Sequence, residues 1–363
     1  MINHLIIAEA RGYYLRMKNT CPLLFCCAIF TLTTNLVFSE DTSPSRSDHV
    51  KAFNEAQSCY NSTPSGQSVR KRHCAKRALQ AGRFLFEPHG VHIAALTYNY
   101  GKALKSKDKK KAREVLGESL ELYEAIYGQA SPELISVLIE LGNLSKALSI
   151  AKKSFTKSSP EYASVLLELS MSNSLDLPRT SSYARSAHKI YLKEEGSNSF
   201  NTASASFQVG KVKTVQKKYK SAIPYLIGGT EHPDVATYAH GWLVEVYGLT
   251  NQDDLASHHA QQLGRLRQGK GNDESVPVFV PSANYPQDAL FRSIEGHAII
   301  ELTISNEGRA TDILLVRESP ESHGFGEEAL KAAKRLLYAP KFVNGIAQEV
   351  PGVRYQYTFT MPR

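Results

Sequence analysis

Few residues in this chain have types and spacings that could do chemistry. His258 and His259 are adjacent on a helical stretch. Neighbours in sequence point to different sides of a helix, whereas a metal site prefers histidines three or four apart. Lys105 to Arg113 (KSKDKKKAR) is the densest basic run. It falls at a turn between two helices and reads as solvated surface, with an anionic membrane surface as the functional alternative. Gly228–Gly229 reads as loop, and Asp253–Asp254 as the acidic start of a helix, where the dipole favours negative charge. The sequence has no HExxH, no GxSxG, no phosphate-cradling glycine loop and no CxxC. No nucleophile, base and oxyanion site assemble. The expectation is a non-enzyme with no metal and no cofactor, so the function must lie in binding.

Where the chain works is decided at its start. Arg11, Arg16 and Lys18 precede an apolar run from Cys21 to Leu32, which Thr33, Thr34 and Asn35 dilute and Leu36-Val37-Phe38 resume before Ser39-Glu40-Asp41. A basic segment, an apolar core and a small residue at its end describe a secretory signal, with cleavage after Ser39. Met17 is the better start, because Met1 to Arg16 adds a preface that signals do not need. The competing reading is an uncleaved anchor, although a spanning helix wants about 20 apolar residues and this run is shorter and interrupted. Both readings send the remainder of the chain across a membrane. The formal charge of +8 would by itself permit nucleic acid. Export argues against that partner, and leaves protein partners, with membrane contact only through an uncleaved N-terminus.

Cysteine usage fits this compartment. Cys21, Cys26 and Cys27 lie in the apolar run, and Cys59 and Cys74 remain as an even pair flanking the turn-like Asn61–Gly66. A disulfide across that hairpin is expected; the alternative is two small buried thiols on unrelated faces. Non-reducing mass mapping of the exported protein decides, and two free thiols would rule the bond out.

From about Asp48 to Leu266 the pattern is helical and repeats. Ala112, Ala147, Ala184, Ala222 and Ala256 follow one another at steps of 35, 37, 38 and 34 residues. Four residues on stand Leu116, Ala151, His188, Leu226 and Ala260, beside them on the same helix face. A period near 34 with small residues at the contact marks stacked helical hairpins. Ser131-Pro132-Glu133, Ser159-Pro160-Glu161 and His232-Pro233-Asp234 recur at first-helix starts, where proline's missing N–H costs nothing. The stretch resembles the tetratricopeptide repeat family in its kinesin-light-chain variant. The glycine expected on the first helix is plain only at Gly210, and the second repeat is cramped. Asp48 to Phe86 reads as an irregular capping hairpin with Ala78 roughly in phase.

After the polar, glycine-bearing stretch Gln268–Ser275 the grammar changes to a β-rich module. Ala298, Ile300, Leu302 and Ile304 alternate with His297, Ile299, Glu301 and Thr303, which reads as a strand with one apolar face. The turn Asn306-Glu307-Gly308 leads to a second strand, Arg309 to Arg317. A helical segment from about Gly324 to Tyr338 carries Phe325, Ala329, Ala332, Ala333, Leu336 and Leu337 inward. A short helix after Tyr285-Pro286 should point Leu290 and Ile294 inward. The chain closes on Val353, Tyr355, Tyr357, Phe359 and Met361 along one strand face. Such elements close a small α+β core with a three-stranded antiparallel sheet.

Pro281, Tyr285-Pro286, Ala289, Glu295-Gly296, the Ile304–Gly308 turn, Asp312, Ser319, Phe325, Ala329-Leu330, Tyr338-Ala339-Pro340 and Gly345 stand in an order that resembles the C-terminal domain of TonB-family proteins. The resemblance implies docking of an outer-membrane receptor segment beside the last strand by β-augmentation. Carried over residue by residue, it puts Tyr355, Gln356, Tyr357, Thr358 and Phe359 on the docking edge, with Tyr285 and Pro286 near it. It also implies energy transduction, which in the family uses an uncleaved helix bearing a serine and histidine pair and a long Pro-rich spacer. The run here contains no histidine, and helices take the spacer's place. The organisation read from sequence is therefore an export signal or anchor over 1–39, a helical array over 48–266, a linker over 267–275 and a TonB-like module over 276–363. The function read from it is a periplasmic protein-binding adaptor of the cell envelope, with inner-membrane anchoring as the alternative placement. The rivals are an anchored transducer and a structural or chaperone-like scaffold in which the array does the binding.

Overall fold

The computed structural model describes residues 45–63, 67–172, 176–268 and 275–361. The apolar run at 21–38 and residues 269–274 of the polar stretch lie outside the described residues. No helix among the described residues is long and apolar enough to cross a membrane. The chain divides into two compact units, 1–190 and 191–363.

The first unit is helical. It contains α1 (Arg46–Ser62), α2 (Ser68–Leu85), α3 (Val91–Leu104), α4 (Lys109–Tyr127), a 3-10 turn at Pro132–Leu134, α5 (Ile135–Leu141), α6 (Leu144–Ser154) and α7 (Pro160–Ser170). It also takes the first part of α8 (Leu177–Glu195). Short polar side chains start these helices where the first backbone N–H groups lack partners. Ser45 and Asp48 form a reciprocal capping box at α1, Asp108 caps α4, and Ser159 caps α7 ahead of Pro160. The cramped repeat is visible as the brevity of α5.

The second unit holds the end of α8, then α9 (Phe200–Val215), α10 (Tyr219–Thr230), α11 (Pro233–Leu249) and α12 (Asp253–Arg267), followed by the β-rich module. In both units the alanines read as contact positions are buried: Ala78, Ala112, Ala147 and Ala184 in the first, Ala222 and Ala256 in the second. The glycine signature is also present twice. A Cβ on Gly210 would stand 2.7 Å from the Leu226 side chain, and one on Gly101 would stand 2.8 Å from Leu116. Gly101 is one residue out of the sequence register, which is why the pattern hid it.

The module consists of β1 (Pro277–Phe279), α13 (Gln287–Phe291), β2 (Gly296–Ile304), β3 (Ala310–Ser319), α14 (Phe325–Ala333), β4 (Leu337–Tyr338), β5 (Lys341–Val343), β6 (Ile346–Gln348) and β7 (Val350–Phe359). The three-stranded antiparallel sheet has the order β3-β2-β7. Ala298, Ile300, Leu302 and Ile304 are buried on its inner face, with Phe325, Ala329 and Ala333 of α14 in the same core. Several details differ from the sequence reading: Gly228–Gly229 lie inside α10 rather than in a loop, and β7 ends at Phe359, short of Met361. The α14 helix stops at Ala333, because Leu337 and Tyr338 pair with β1 as a short strand instead. Leu290 is 42% exposed. In a helix as short as α13 only one position meets the core, and Ala289 takes it while Ile294 packs partly against it.

Within the second unit the module packs on the last helical hairpin. The Arg335 guanidinium donates to both Asp253 carboxylate oxygens, at 3.1 and 2.8 Å, and to the Gly248 carbonyl at 2.7 Å. It also lies 5.8 Å from the Phe279 ring centre. Arg309 donates to Asp254 at 2.8 Å, and the Ser257 hydroxyl to the Glu307 carbonyl at 2.9 Å. Asp253–Asp254 thus does more than start a helix. Arg335→Ala should destabilise this unit by about 1.5 kcal/mol, the low end for charged hydrogen bonds. The low end applies because the two side chains remain 34% and 36% exposed. The check is denaturant unfolding followed by the fluorescence of Trp242, which is buried in α11 of the same unit. The hydrogen bonds from Arg335 hold the Asp253 carboxyl below its ordinary value. Its contribution is therefore complete above about pH 4 and is lost as pH falls through the folded-state value.

Candidate docking edge

The seven residues proposed for docking divide by the strand's alternation. On β7, Tyr355, Tyr357 and Phe359 turn to the core, Tyr357 7% and Phe359 4% exposed, while Gln356 and Thr358 face solvent. Burying such aromatic rings is worth about 1.5–3 kcal/mol each, so the inward row holds the fold. Tyr285 belongs with it. Its ring meets Phe325 and Phe359 edge-on, at 6.0 and 5.8 Å between centres, and its hydroxyl donates to the Ile294 carbonyl at 2.8 Å. Pro286 immediately precedes α13. The structure therefore gathers Tyr285 and Phe359 at one end of β7.

What β7 leaves open is its backbone. It pairs with β2 on one side, and no strand among the described residues pairs with the other. From Val353↔Leu302 to Phe359↔Gly296 the register runs without a shift. The opposite edge strand, β3, differs. Its register is broken twice, between Ile299 and Ile300 and between Glu301 and Thr303, and Asp312 sits at φ +48°. Irregularity and inserted charge are the devices that blunt an edge against added strands. Beside β7 on the solvent face lies a shallow depression lined by Ile299, Val316, Arg317, Arg354, Tyr355 and Gln356. Arg354 is held there by Glu301 at 2.9 Å.

The remaining sequence candidates fall elsewhere. Cys59 on α1 and Cys74 on α2 are bonded, with Cα atoms 5.8 Å apart. Lys105, the first residue of the basic run, bonds Glu140 at 2.8 Å beside a second pair, Lys102–Glu140 at 3.2 Å. His259 does have a histidine neighbour, but on the other helix of its hairpin: its Nδ1 lies 2.9 Å from Nδ1 of His240. Burial, with the neighbouring histidines adding to it, pushes both down to about 4. At neutral pH the pair is uncharged, and one ring's N–H faces the other's lone pair. The spacing of 19 residues carries no helical periodicity, so sequence gave no signal for it. Among the described residues no group of three or more His, Cys, Asp or Glu side chains gathers where a metal could sit.

Comparison with known families matches residues 281–360 to the family described as Gram-negative bacterial TonB protein C-terminal. The match spans the module from the residues before α13 to the end of β7. Among solved structures the chain is similar to BtubC (BKLC) from P. vanneervenii, with 17% identity, a TM-score of 0.42, and coverage of 60% of this chain and 98% of that one. It is also similar to the TPR-like repeats of a Podosopora anserina protein assigned as a kinesin light chain. That match has 14% identity, a TM-score of 0.34, and coverage of 61% of this chain and 95% of the other. No curated protein matches.

Proposed function

We propose that this chain is an exported, periplasmic protein-binding adaptor whose C-terminal module docks an extended partner segment along β7 by β-augmentation. A segment of an outer-membrane receptor is the candidate partner. The observation that carries the proposal is the free, unshifted edge of β7 from Val353 to Phe359. The match of residues 281–360 to the TonB C-terminal family supports it. In this mode the backbone N–H and C=O groups of the edge supply affinity, and alternate side chains of the partner are read on the two faces of the sheet. The solvent face offers the arginine-rimmed depression, and the inner face the tyrosine row. The helical hairpins supply a scaffold and a second protein-binding surface, as stacked repeats commonly do.

The test is removal of Ser275 to Arg363 followed by pull-down from envelope extract. The adaptor reading expects outer-membrane receptors to be lost with the module. Their continued recovery would assign binding to the array and sink the docking proposal. The N-terminal mass of the exported protein separates adaptor from transducer: a start near Glu40 excludes the transducer, and an intact apolar run favours it.

A further inference from the structure

Two buried hydroxyls in the module have no hydrogen-bond partner among the described residues, and their tyrosines lie near enough to influence each other electrostatically. Tyr357 Oη, on the inward face of β7, and Tyr338 Oη, on β4, are buried and unpaired. Their residues are 7% and 1% exposed. The half-buried Tyr355 stands beside them, its ring 5.0 Å from that of Tyr357 and at 74° to it. Buried polar groups in folded proteins are nearly always satisfied, and two exceptions in one place call for an explanation. Core packing does not supply one, because phenylalanine would fill the same volume without the unsatisfied oxygen. Burial raises the phenol pKa of all three tyrosines, so each stays protonated and offers one donor and one acceptor.

The position of the pair is informative. A strand added to β7 would bring its own inward side chains about 4.5–5.5 Å from those of Tyr355 and Tyr357, with diagonal neighbours within reach of a long side chain. Tyr355 is half-buried and Tyr357 buried, so the tyrosine row opens toward Tyr355. Two neutral phenols are met together by an uncharged group that accepts from both, or that donates to one and accepts from the other. A primary carboxamide does so, giving an N–H to one oxygen and taking the O–H of the other. A carboxylate or ammonium would enter the core as an uncompensated charge, and an aliphatic side chain would leave both hydroxyls as they are. We infer that the segment docked on β7 carries an asparagine or glutamine at one inward-facing position, received by the hydroxyls of Tyr338 and Tyr357. The inference rests on the docking reading above and adds to it the chemistry of the partner.

The experiment selects random nine-residue peptides on phage against the full chain, and in parallel against the double variant Tyr338→Phe/Tyr357→Phe. Peptides selected on the natural chain should share Asn or Gln at one fixed position, bind the double variant about tenfold more weakly, and slow hydrogen exchange at alternate β7 amides. Selection on the double variant should replace the carboxamide by an apolar residue. The free double variant should melt about 2–4 °C higher, since it has lost orphaned hydroxyls. An unchanged Asn or Gln preference and affinity in the double variant, or a lower melting temperature, overturns the carboxamide socket while leaving edge docking intact. If no peptide is enriched, or bound peptides leave the β7 amides unprotected, edge docking itself falls and the socket falls with it.

Discussion

Phe325→Ala is expected to cost the second unit about 3–5 kcal/mol of folding free energy, the range for emptying a fully buried aromatic site. Phe325 is 0% exposed at the start of α14. Its ring lies 4.9 Å from that of Phe359 and 6.0 Å from that of Tyr285. Three elements, α14, the end of β7 and the segment before α13, thus meet on this one side chain. Ala289, Ala329 and Ala333 of the same core are too short to fill the gap. The urea midpoint read by Trp242 should fall by about 1–2 M. β7 should suffer first, since its C-terminal end loses the surface it rests on. A midpoint shift under about 0.3 M would mean that this core does not carry the module.

Gly308→Ala is expected to cost about 3 kcal/mol, from two separate causes. The residue stands at φ +81°, where an L side chain meets its own backbone and loses about 1 kcal/mol or more. An added Cβ would also press into the Tyr338 carbonyl oxygen, which is main chain and cannot rotate away. Overpacking of this kind costs about 1–3 kcal/mol more. The strain falls where the β2–β3 turn is tied to β4, through the bond from Tyr338 N–H to the Gly308 carbonyl at 2.8 Å. Thermal unfolding of the full chain, followed in the near-ultraviolet, checks it. Gly128, also at positive φ but with open space around its Cβ direction, provides the comparison, and substitution there should cost less.

These two positions show what could be read in advance. Phe325 and Gly308 were legible because each obeys a local rule: an apolar residue on a helix face, and a glycine closing a turn between alternating strands. The same holds for Ala222 and Ala256, whose 34-residue spacing reflects hairpin packing that repeats along the chain. Local rules failed where a contact joins residues distant in sequence without periodicity. Nothing in Asp253 announces Arg335, 82 residues on, and nothing in His259 announces His240. Leu290 was misplaced because a helix of five residues has too few turns for a moment to fix its face. Tyr355 to Phe359 read as a strand from their alternation, yet their division into a buried row and a solvent row follows from burial. The partnerless phenols emerge only from three-dimensional accounting, since a tyrosine with an unpaired hydroxyl and one with a paired hydroxyl are the same letter.

On the proposed function, β7, rather than β3 or the helical hairpins, is the surface a partner adds to. Site-specific photo-crosslinking in intact envelopes tests it most directly, with p-benzoylphenylalanine placed at Gln356 on β7 and, in a separate chain, at Leu314 on the solvent face of β3. Both side chains are exposed, so either probe can react if a partner is near. A discrete adduct with an outer-membrane protein is expected from position 356 and none from position 314. Adducts from position 314 alone, or none from position 356 in cells where the full-length chain recovers its partner, would contradict it.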